Sequence, residues 1–431
     1  MVDYLIVGNS AAAVAAGEEI RRRDKDGSIL MVSEENISSY SRPLLPRYLS
    51  GEFPLERLFF RREDFFRENR LEVKLGKKVT RIDPEKKNAL LEGGERLNYG
   101  KLLLSTGSVP FRPKIKGLRL DGIFTFLCVA EVERIKRHLK ANQVRDVLVL
   151  GGGLIGLETA ETFARLGCRV RIVELAPSLL STTFDRKASE ILAGHLFGKG
   201  VKIVTEDTVV SFEGKEGKVK KASLKKGGEV PVDLAILAIG VRPRAELAEG
   251  TGAAVERGIV TSLSMLTAAP DIFAAGDCVQ TQNLMSGARH PLPLWPEAFR
   301  QGKVAGANMA LPKSGPDQPA PEYKGGLVMN AMEILDLPTI SVGITEDAEA
   351  EVFSDYQPEK KIYRKILVKN NLVVGYIFIG KIERSGIYTG LIKERVEVGS
   401  FKDKLLDEDF GLIYLPSDYQ KHLVKGEGIE V

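Results

Sequence analysis

Residues 146–156 read Asp146-Val147-Leu148-Val149-Leu150-Gly151-Gly152-Gly153-Leu154-Ile155-Gly156. A branched apolar run passes straight into glycines, and a helix-forming stretch follows from about Leu157 to Leu166. The next run, Cys168-Arg169-Val170-Arg171-Ile172-Val173, closes on Glu174. The order is strand, glycine turn, helix, strand: one βαβ unit of about 30 residues. Gly151, Gly153 and Gly156 fill the pattern GxGxxG. Alone that pattern is weak; after a strand, opening a helix and followed by an acid, it predicts a dinucleotide cradle. A pyrophosphate needs donors and positive potential, and a helix N-terminus supplies both. Glycine lets the backbone close on it, so Gly151, Gly153, Leu154, Ile155 and Gly156 are the expected contacts. Glu174 suits both adenosine ribose hydroxyls and repels a 2′-phosphate. No Arg stands in Leu175-Ala176-Pro177-Ser178, so NADH is favoured over NADPH.

The same grammar opens the chain. Residues 2–7 are apolar and end in Gly8-Asn9-Ser10-Ala11-Ala12-Ala13. An Ala-rich helix former leads to Arg21, and Ser28-Ile29-Leu30-Met31-Val32 ends in Ser33-Glu34-Glu35. Ser10 and Ala13 replace the second and third glycines, yet small residues still permit close approach. Either Glu34 or Glu35 terminates the second strand, and spacing does not choose between them. Two half-sites of this type imply two dinucleotides.

Residues 70–108 and 200–240 alternate apolar and polar positions with turn residues, as β-meanders do. Leu311 to Pro321 holds four Pro and reads as a surface connection. Beyond it, Thr339–Ile344, Ile362–Val368 and Leu372–Ile379 read as strands and Gly386–Arg395 as a short helix, giving a third, α+β domain.

Among 431 residues, 62 Lys+Arg against 58 Asp+Glu leave a charge of only +4, which argues against a nucleic-acid binder. No apolar run approaches the ~18 residues of a membrane span. Met1 to Gly8 has no basic n-region, so no secretory signal is read and a cytoplasmic location is expected. Cys128, Cys168 and Cys278 are odd in number and far apart, without CxxC. Neither a disulfide framework nor a metal site is expected.

Five segments carry a family resemblance, in order: Gly8–Ala13, Ser105-Thr106-Gly107, Gly151–Glu161, Ala238–Pro243 and Asp271–Asp277. Together they resemble the two-dinucleotide flavoprotein reductases of the pyridine nucleotide-disulfide oxidoreductase type, over roughly residues 1–320. The resemblance implies a glutathione reductase-like α/β fold: two Rossmann-like dinucleotide-binding domains plus a C-terminal α+β domain. It divides the chain into an FAD-binding domain (1–110 and 244–320), an NAD-binding domain (111–243) and an interface domain (321–431). The implied cofactors are FAD and NAD. The implied FAD contacts are Gly8, Ser10, Ala11, Ala12, Glu34, Glu35, Arg42, Pro43, Val79, Thr106, Gly107, Gly276, Asp277 and Trp295, with Asp277 on the ribitol hydroxyls. Gly240 joins the NAD set.

Tyr40-Ser41-Arg42-Pro43-Leu44-Leu45 resembles the YxRPxL stretch of rubredoxin, ferredoxin and nitrite reductase-type members. Trp295 to Gly302 is similar to their segment beside the flavin's pyrimidine end, which places Trp295 next to the isoalloxazine. No cysteine lies between Gly8 and Arg62, where a redox-active thiol would come from. Cys278 reads as a small buried filler. The four histidines, His138, His195, His290 and His422, are isolated and read as structural or solvated. The resemblance pairs Glu158, on the first turn of the NAD-motif helix, with a Lys five residues after Arg42; Arg47 stands there instead. A catalytic Arg47–Glu158 pair beside the flavin is therefore expected. Its bland counterpart makes Arg47 a surface charge and Glu158 a dipole partner. Arg57–Arg70 reads as an amphipathic helix with solvated charges rather than as a carrier-docking face.

The implied activity is NADH oxidation through FAD to an external rubredoxin, ferredoxin or other iron–sulfur carrier. An NADH oxidase or CoA-disulfide reductase-like enzyme is the alternative. An NADH-responsive binding or assembly subunit that retains flavin is another, from a different class. The C-terminal domain is expected to mediate a homodimer or to dock a larger redox complex.

Overall fold

The computed structural model describes residues 1–311 and 320–416. Most of the Pro-rich connection, and His422, lie outside the described residues. The chain begins with β1 (Val2–Val7), α1 (Ala11–Arg23) and β2 (Ile29–Val32). Two short helices follow, α2 (Leu45–Ser50) and α3 (Glu63–Glu68), then β3 (Leu71–Lys74), parallel to β2. A meander of β4 (Val79–Asp83), β5 (Asn88–Leu91) and β6 (Arg96–Leu104) returns the chain to β1. β6 does two jobs. Its first half pairs antiparallel with β5, and its second half lies parallel to β1.

β7 (Ser108–Pro110) leads into the second half. There β8 (Ile123–Thr125), α4 (Val129–Ala141), β9 (Asp146–Leu150), α5 (Leu154–Arg165), β10 (Arg169–Val173), α6 (Arg186–Gly198) and β11 (Lys202–Val204) alternate as βαβ units do. An antiparallel layer of β12 (Val209–Lys215), β13 (Lys218–Leu224) and β14 (Glu229–Pro231) precedes β15 (Leu234–Leu237). The parallel sheet has the order β11-β10-β9-β15-β8. Val170 and Ile172 of β10 point toward α5, while Val173 points toward the antiparallel layer, as a strand's period of two requires. β16 (Val241–Pro243) then pairs antiparallel with β7, so two short strands carry the chain out of the first half and back.

On its return the chain adds β17 (Ile259–Val260), then β18 (Ile272–Ala274) parallel to β6, then β19 (Val279–Gln282), β20 (Arg289–Pro291) and α7 (Trp295–Met309). α7 packs along α1 at unusually close range. A Cβ on Gly302 would lie 2.2 Å from the Ala12 carbonyl oxygen, and one on Gly306 would lie 2.4 Å from that of Ala16. The Ala-rich composition of α1 is the other side of this contact. Both helices lack side chains where their backbones meet.

The last unit is an antiparallel sheet in the order β21-β22-β25-β24-β23. Its strands are β21 (Met329–Ile334), β22 (Leu337–Gly343), β23 (Glu351–Gln357), β24 (Ile362–Lys369) and β25 (Leu372–Ile379), with α8 (Ser385–Glu394) after them. The sequence pattern marks β22, β24, β25 and α8. It leaves β21 and β23 unmarked, because β23 is a largely solvated edge strand and β21 alternates only weakly. One face of the sheet packs on α8 with Tyr376, Phe378, Tyr388 and Phe410. The other sends Leu335, Leu337, Tyr363 and Ile377 into the core that surrounds α5 and α6. The C-terminal sheet is thus packed on the second nucleotide half.

Candidate dinucleotide sites

At the first cradle, β1 ends in Gly8, whose φ of +128° and approach to the Ser105 carbonyl exclude a side chain. A Cβ there would sit 2.3 Å from that oxygen. α1 starts with Ala11 and Ala12, and the side chain of its N-cap Ser10 makes no capping bond. The first N–H groups of the helix are therefore available to an anion.

Glu34 and Glu35 are placed differently. Glu35 accepts the Tyr40 hydroxyl at 2.7 Å and pairs with Arg42. Glu34 stands at the half-exposed rim, where it pairs with Arg244 at 2.9 Å. Arg42 opens a single 3-10 turn with Pro43 and donates its other terminal nitrogen to the Leu127 carbonyl at 2.7 Å. Burial works against the Arg42 charge, but Tyr40 and Glu35 outweigh it and hold the guanidinium's pKa above its ordinary value. Val79 opens β4 with its side chain in the core, so only its backbone can meet a ligand.

Gly276 has a φ of +89° and donates its N–H to Gln301 Oε1 at 2.8 Å. Beside it, Asp277 accepts the Ser108 hydroxyl at 3.0 Å. Desolvation raises the Asp277 pKa, against the opposing pull of Ser108 and Arg42. Thr106 bonds the Arg244 carbonyl at 2.5 Å, and the Gly107 carbonyl accepts the Arg244 N–H at 2.9 Å. These contacts bind the β7–β16 crossover to the cradle. Trp295 begins α7, meets Phe60 edge-on at 5.1 Å and is half-buried.

In the second cradle, a Cβ on Gly156 would lie 2.0 Å from the Gly151 carbonyl, so the first helical turn rides directly on the glycine loop. Gly153 is the N-cap, offers no side-chain cap and has nothing within 4 Å of where its Cβ would stand. Leu154 and Ile155 form the first turn. Glu174 accepts the Gly152 N–H at 2.5 Å and the Ala176 N–H at 2.7 Å. Gly240, with a φ of +97°, is equally open and accepts the Phe111 N–H at 3.0 Å. Both cradles thus present uncapped helix N-termini beside residues without side chains, and they fit two dinucleotide pyrophosphates.

The structure does not bring Arg47 and Glu158 together. In α2, Leu45, Tyr48 and Leu49 share the core with α5. Residues three and four apart face one way, which turns Arg47 outward. There it pairs with Glu52 at 3.4 Å and lies over the Phe53 ring. Glu158, at the start of the second turn of α5 rather than in the first, is recessed, and its carboxyl group has no ion-pair or hydrogen-bond partner among the described residues. Burial, then the Glu161 charge, pushes its carboxyl up to about 7.

The three cysteines are unpaired. Cys278 is fully buried and its thiol faces the Leu104 and Ala275 carbonyls, which makes it a packing residue. Cys128 stands at the N-cap position of α4 without a capping bond, and burial raises its thiol pKa, the opposite of an activated thiolate. Among the described residues no group of three His, Cys, Asp or Glu could hold a metal ion, and no helix is long and apolar enough to cross a membrane.

Sequence reasoning missed two arrangements. Glu297, 2% exposed in the first turn of α7, holds the Tyr323 hydroxyl and Arg300. Glu161 grips the C-terminal sheet. Nothing in the linear pattern pairs Glu297 with Tyr323 or Glu161 with Leu335, because both partners come from after the connection.

Two glycine-turned βαβ units joined by a two-stranded crossover define a two-dinucleotide flavoprotein oxidoreductase. The chain belongs to the pyridine nucleotide-disulphide oxidoreductase family, whose model matches residues 2–302. Residues 329–396 match the rubredoxin NAD+ reductase C-terminal domain. FAD and NAD(H) are the cofactors of this family. The chain is 28% identical over 396 residues to a nitrite reductase [NAD(P)H] of Bacillus subtilis, covering 91% of this chain and 47% of that protein. It thus spans about half the length of that relative. It is 29% identical over 405 residues, 94% of each chain, to the NADH-dependent phenylglyoxylate dehydrogenase subunit epsilon of Aromatoleum evansii. A solved NAD-dependent persulfide reductase from A. fulgidus superposes with a TM-score of 0.82 at 27% identity, over 91% of this chain and 76% of that one.

Proposed function

We propose that this chain oxidises NADH at FAD and delivers the electrons to an external one-electron carrier, a rubredoxin, a ferredoxin or another iron–sulfur protein. One observation carries the reading: two dinucleotide cradles share a chain that has no thiol pair and no metal cluster among its described residues. FAD supplies the exchange between a two-electron donor and a one-electron acceptor. The chain's own part is to hold, orient and shield.

The uncapped N-terminus of α1, from Gly8 through Ser10, Ala11 and Ala12, would take the FAD pyrophosphate. Glu34 is the better candidate for its ribose, because Glu35 is held inward by Tyr40 and Arg42 while Glu34 stands at the half-exposed rim. Asp277 would take the ribitol hydroxyls, flanked by Thr106, Gly107 and Gly276, with Arg42 and Pro43 along the edge and the Val79 backbone at the adenine. Trp295 would cover the flavin's pyrimidine end. Gly151, Gly153, Leu154, Ile155 and Gly156 would take the NADH pyrophosphate, Glu174 its adenosine ribose, and Gly240 would leave room beside it. Glu158 would stand at the nicotinamide. Arg47 has no part in this scheme.

The residue ranges 1–110 with 244–320, 111–243 and 321–431 serve as FAD, NAD and partner-facing units in this account, and the expected setting is the cytoplasm. The end-to-end match to an epsilon subunit favours a second reading of the partner: a larger NADH-dependent assembly in which this chain is the flavin subunit. A homodimer is the other arrangement.

The test is anaerobic reduction by NADH and by NADPH, followed by reoxidation with rubredoxin, ferredoxin, oxygen and CoA disulfide in parallel. Fast reoxidation by an iron–sulfur carrier alone supports the proposal. Rapid turnover with oxygen or CoA disulfide moves the chain to the alternatives. Reduction that no acceptor reverses supports a binding or assembly role.

A further inference from the structure

β21 and β22 are joined by Leu335 and Asp336, with φ of +48° and +72°. Two consecutive left-handed residues make a tight hairpin turn, a place that Asn-Gly normally fills. A leucine there is strained, and such strain persists only where the surroundings hold it. They do so on every side. The Leu335 side chain is 7% exposed and lies in the core around Phe163, Leu192 and Leu196. Its N–H donates to Glu161 Oε1 at 3.0 Å. Its carbonyl faces His195 Nε2 at 2.9 Å, and Lys361 Nζ lies 3.1 Å from His195 Nδ1. Since Lys361 can only donate, Nδ1 accepts and Nε2 carries the proton. Asp336 pairs with Arg165 at 2.8 Å and with Lys199 at 3.3 Å. All these partners except Lys361 stand on α5, on α6 or just beyond it.

We propose that this hairpin tip is a latch on the NADH-binding half, and that Glu161, which grips it, is a positioning residue for Glu158. This rests on the reading that puts Glu158 at the nicotinamide. Glu158 and Glu161 are three residues apart on α5 and share a face. Arg165 and the Leu335 N–H hold the Glu161 carboxylate in place. Burial first, and then the Glu161 charge, raises the Glu158 carboxyl to about 7. The other charges on the packed elements point elsewhere. Arg47 of α2 is turned to Glu52, and Glu133 and Lys136 of α4 are engaged with Tyr48. Arg169 and Arg171 lie on the face of β10 opposite α5, with Arg169 paired to Asp146. Glu333 of β21 is exposed. A movement of the C-terminal domain would therefore reach the nicotinamide through one carboxylate.

The experiment uses the full-length, flavin-loaded protein. NAD+ affinity is measured by calorimetry from pH 5 to 9, with NADH bleaching of the flavin recorded over the same range. The Glu161→Gln variant keeps an oxygen for the Leu335 N–H but removes the charge. Its transition in affinity is expected at least about half a pH unit below that of wild type. Glu161→Asp is expected to restore most of it. Asp336→Ala loosens the latch from outside, and is expected to shift the transition the same way and to raise amide exchange across residues 329–343. If wild-type flavin is not bleached by NADH at all, the functional reading fails. If it is bleached but wild-type and Glu161→Gln transitions superimpose, the reading stands and the latch is overturned. Glu161→Gln alone shifting, with Asp336→Ala silent in both readouts, also overturns the latch.

Discussion

The Glu174 carboxylate accepts the backbone N–H of Gly152, tying the end of one strand to the glycine turn beside it. It bonds the Ala176 N–H with its other oxygen, and each carboxylate oxygen can accept a second hydrogen bond. The residue that would discriminate the ribose thus also shapes the phosphate loop. Glu174→Ala is expected to weaken NADH binding about 10- to 100-fold, the range of a lost hydrogen bond to a charged group. Flavin content should not change. The preference for NADH over NADPH should shrink, because the repulsion of a 2′-phosphate is removed. Stopped-flow titration with both coenzymes checks this.

The α1–α7 contact gives a prediction with an internal control. Gly302→Ala would drive a methyl group into the Ala12 carbonyl and part the helices. A loss of about 1–3 kcal/mol is expected, together with weaker FAD retention, since α1 carries the first cradle. Gly194, inside α6, has nothing within 4 Å of its missing Cβ. Gly194→Ala should stabilise by about 0.5–1 kcal/mol through helix propensity. Calorimetry of the two variants should give opposite signs.

Glu158 makes a pH prediction. Its carboxyl rises from an ordinary 4.5 to about 7 on folding, so between those values the folded chain binds more protons than the unfolded one. Stability from this group is full below pH 4.5 and is lost as pH rises to about 7. Glu158→Gln, which cannot ionise, should therefore melt higher than wild type at pH 8 and no higher at pH 4.5. Thermal scans at both pH values decide.

Arg47 is half-exposed and held by Glu52. Arg47→Ala is expected to leave the rate of flavin reduction by NADH within about twofold of wild type, since exposed ion pairs contribute little. A loss of tenfold or more would restore the pair expected from sequence.

The placement of Arg47 shows where the sequence stops being legible. The two βαβ units and three of the five C-terminal strands follow from local signals, namely apolar runs, glycines at fixed offsets and turn residues, whereas the crossover is marked only by the family resemblance of Ala238–Pro243. Each signal is written in residues adjacent along the chain. The side-chain pairings are not. The offset from Arg42 puts Arg47 beside Glu158, but the helical face chosen by Leu45, Tyr48 and Leu49 turns it away. Glu34 and Glu35 were indistinguishable by spacing and are separated only by distant Arg244 and nearby Tyr40 and Arg42. The Ala-rich stretch of α1 was legible as helix, yet its reason is a helix that arrives some 290 residues later.

In the proposed function, flavin and NADH exchange electrons without an intervening sulfur. The most direct measurement is anaerobic titration of the purified yellow protein with NADH, with free thiols counted before and after. Bleaching at one NADH per flavin is expected, with no change in thiol number. A second equivalent of NADH consumed with two thiols appearing, or a folded protein that takes up no FAD, would contradict it.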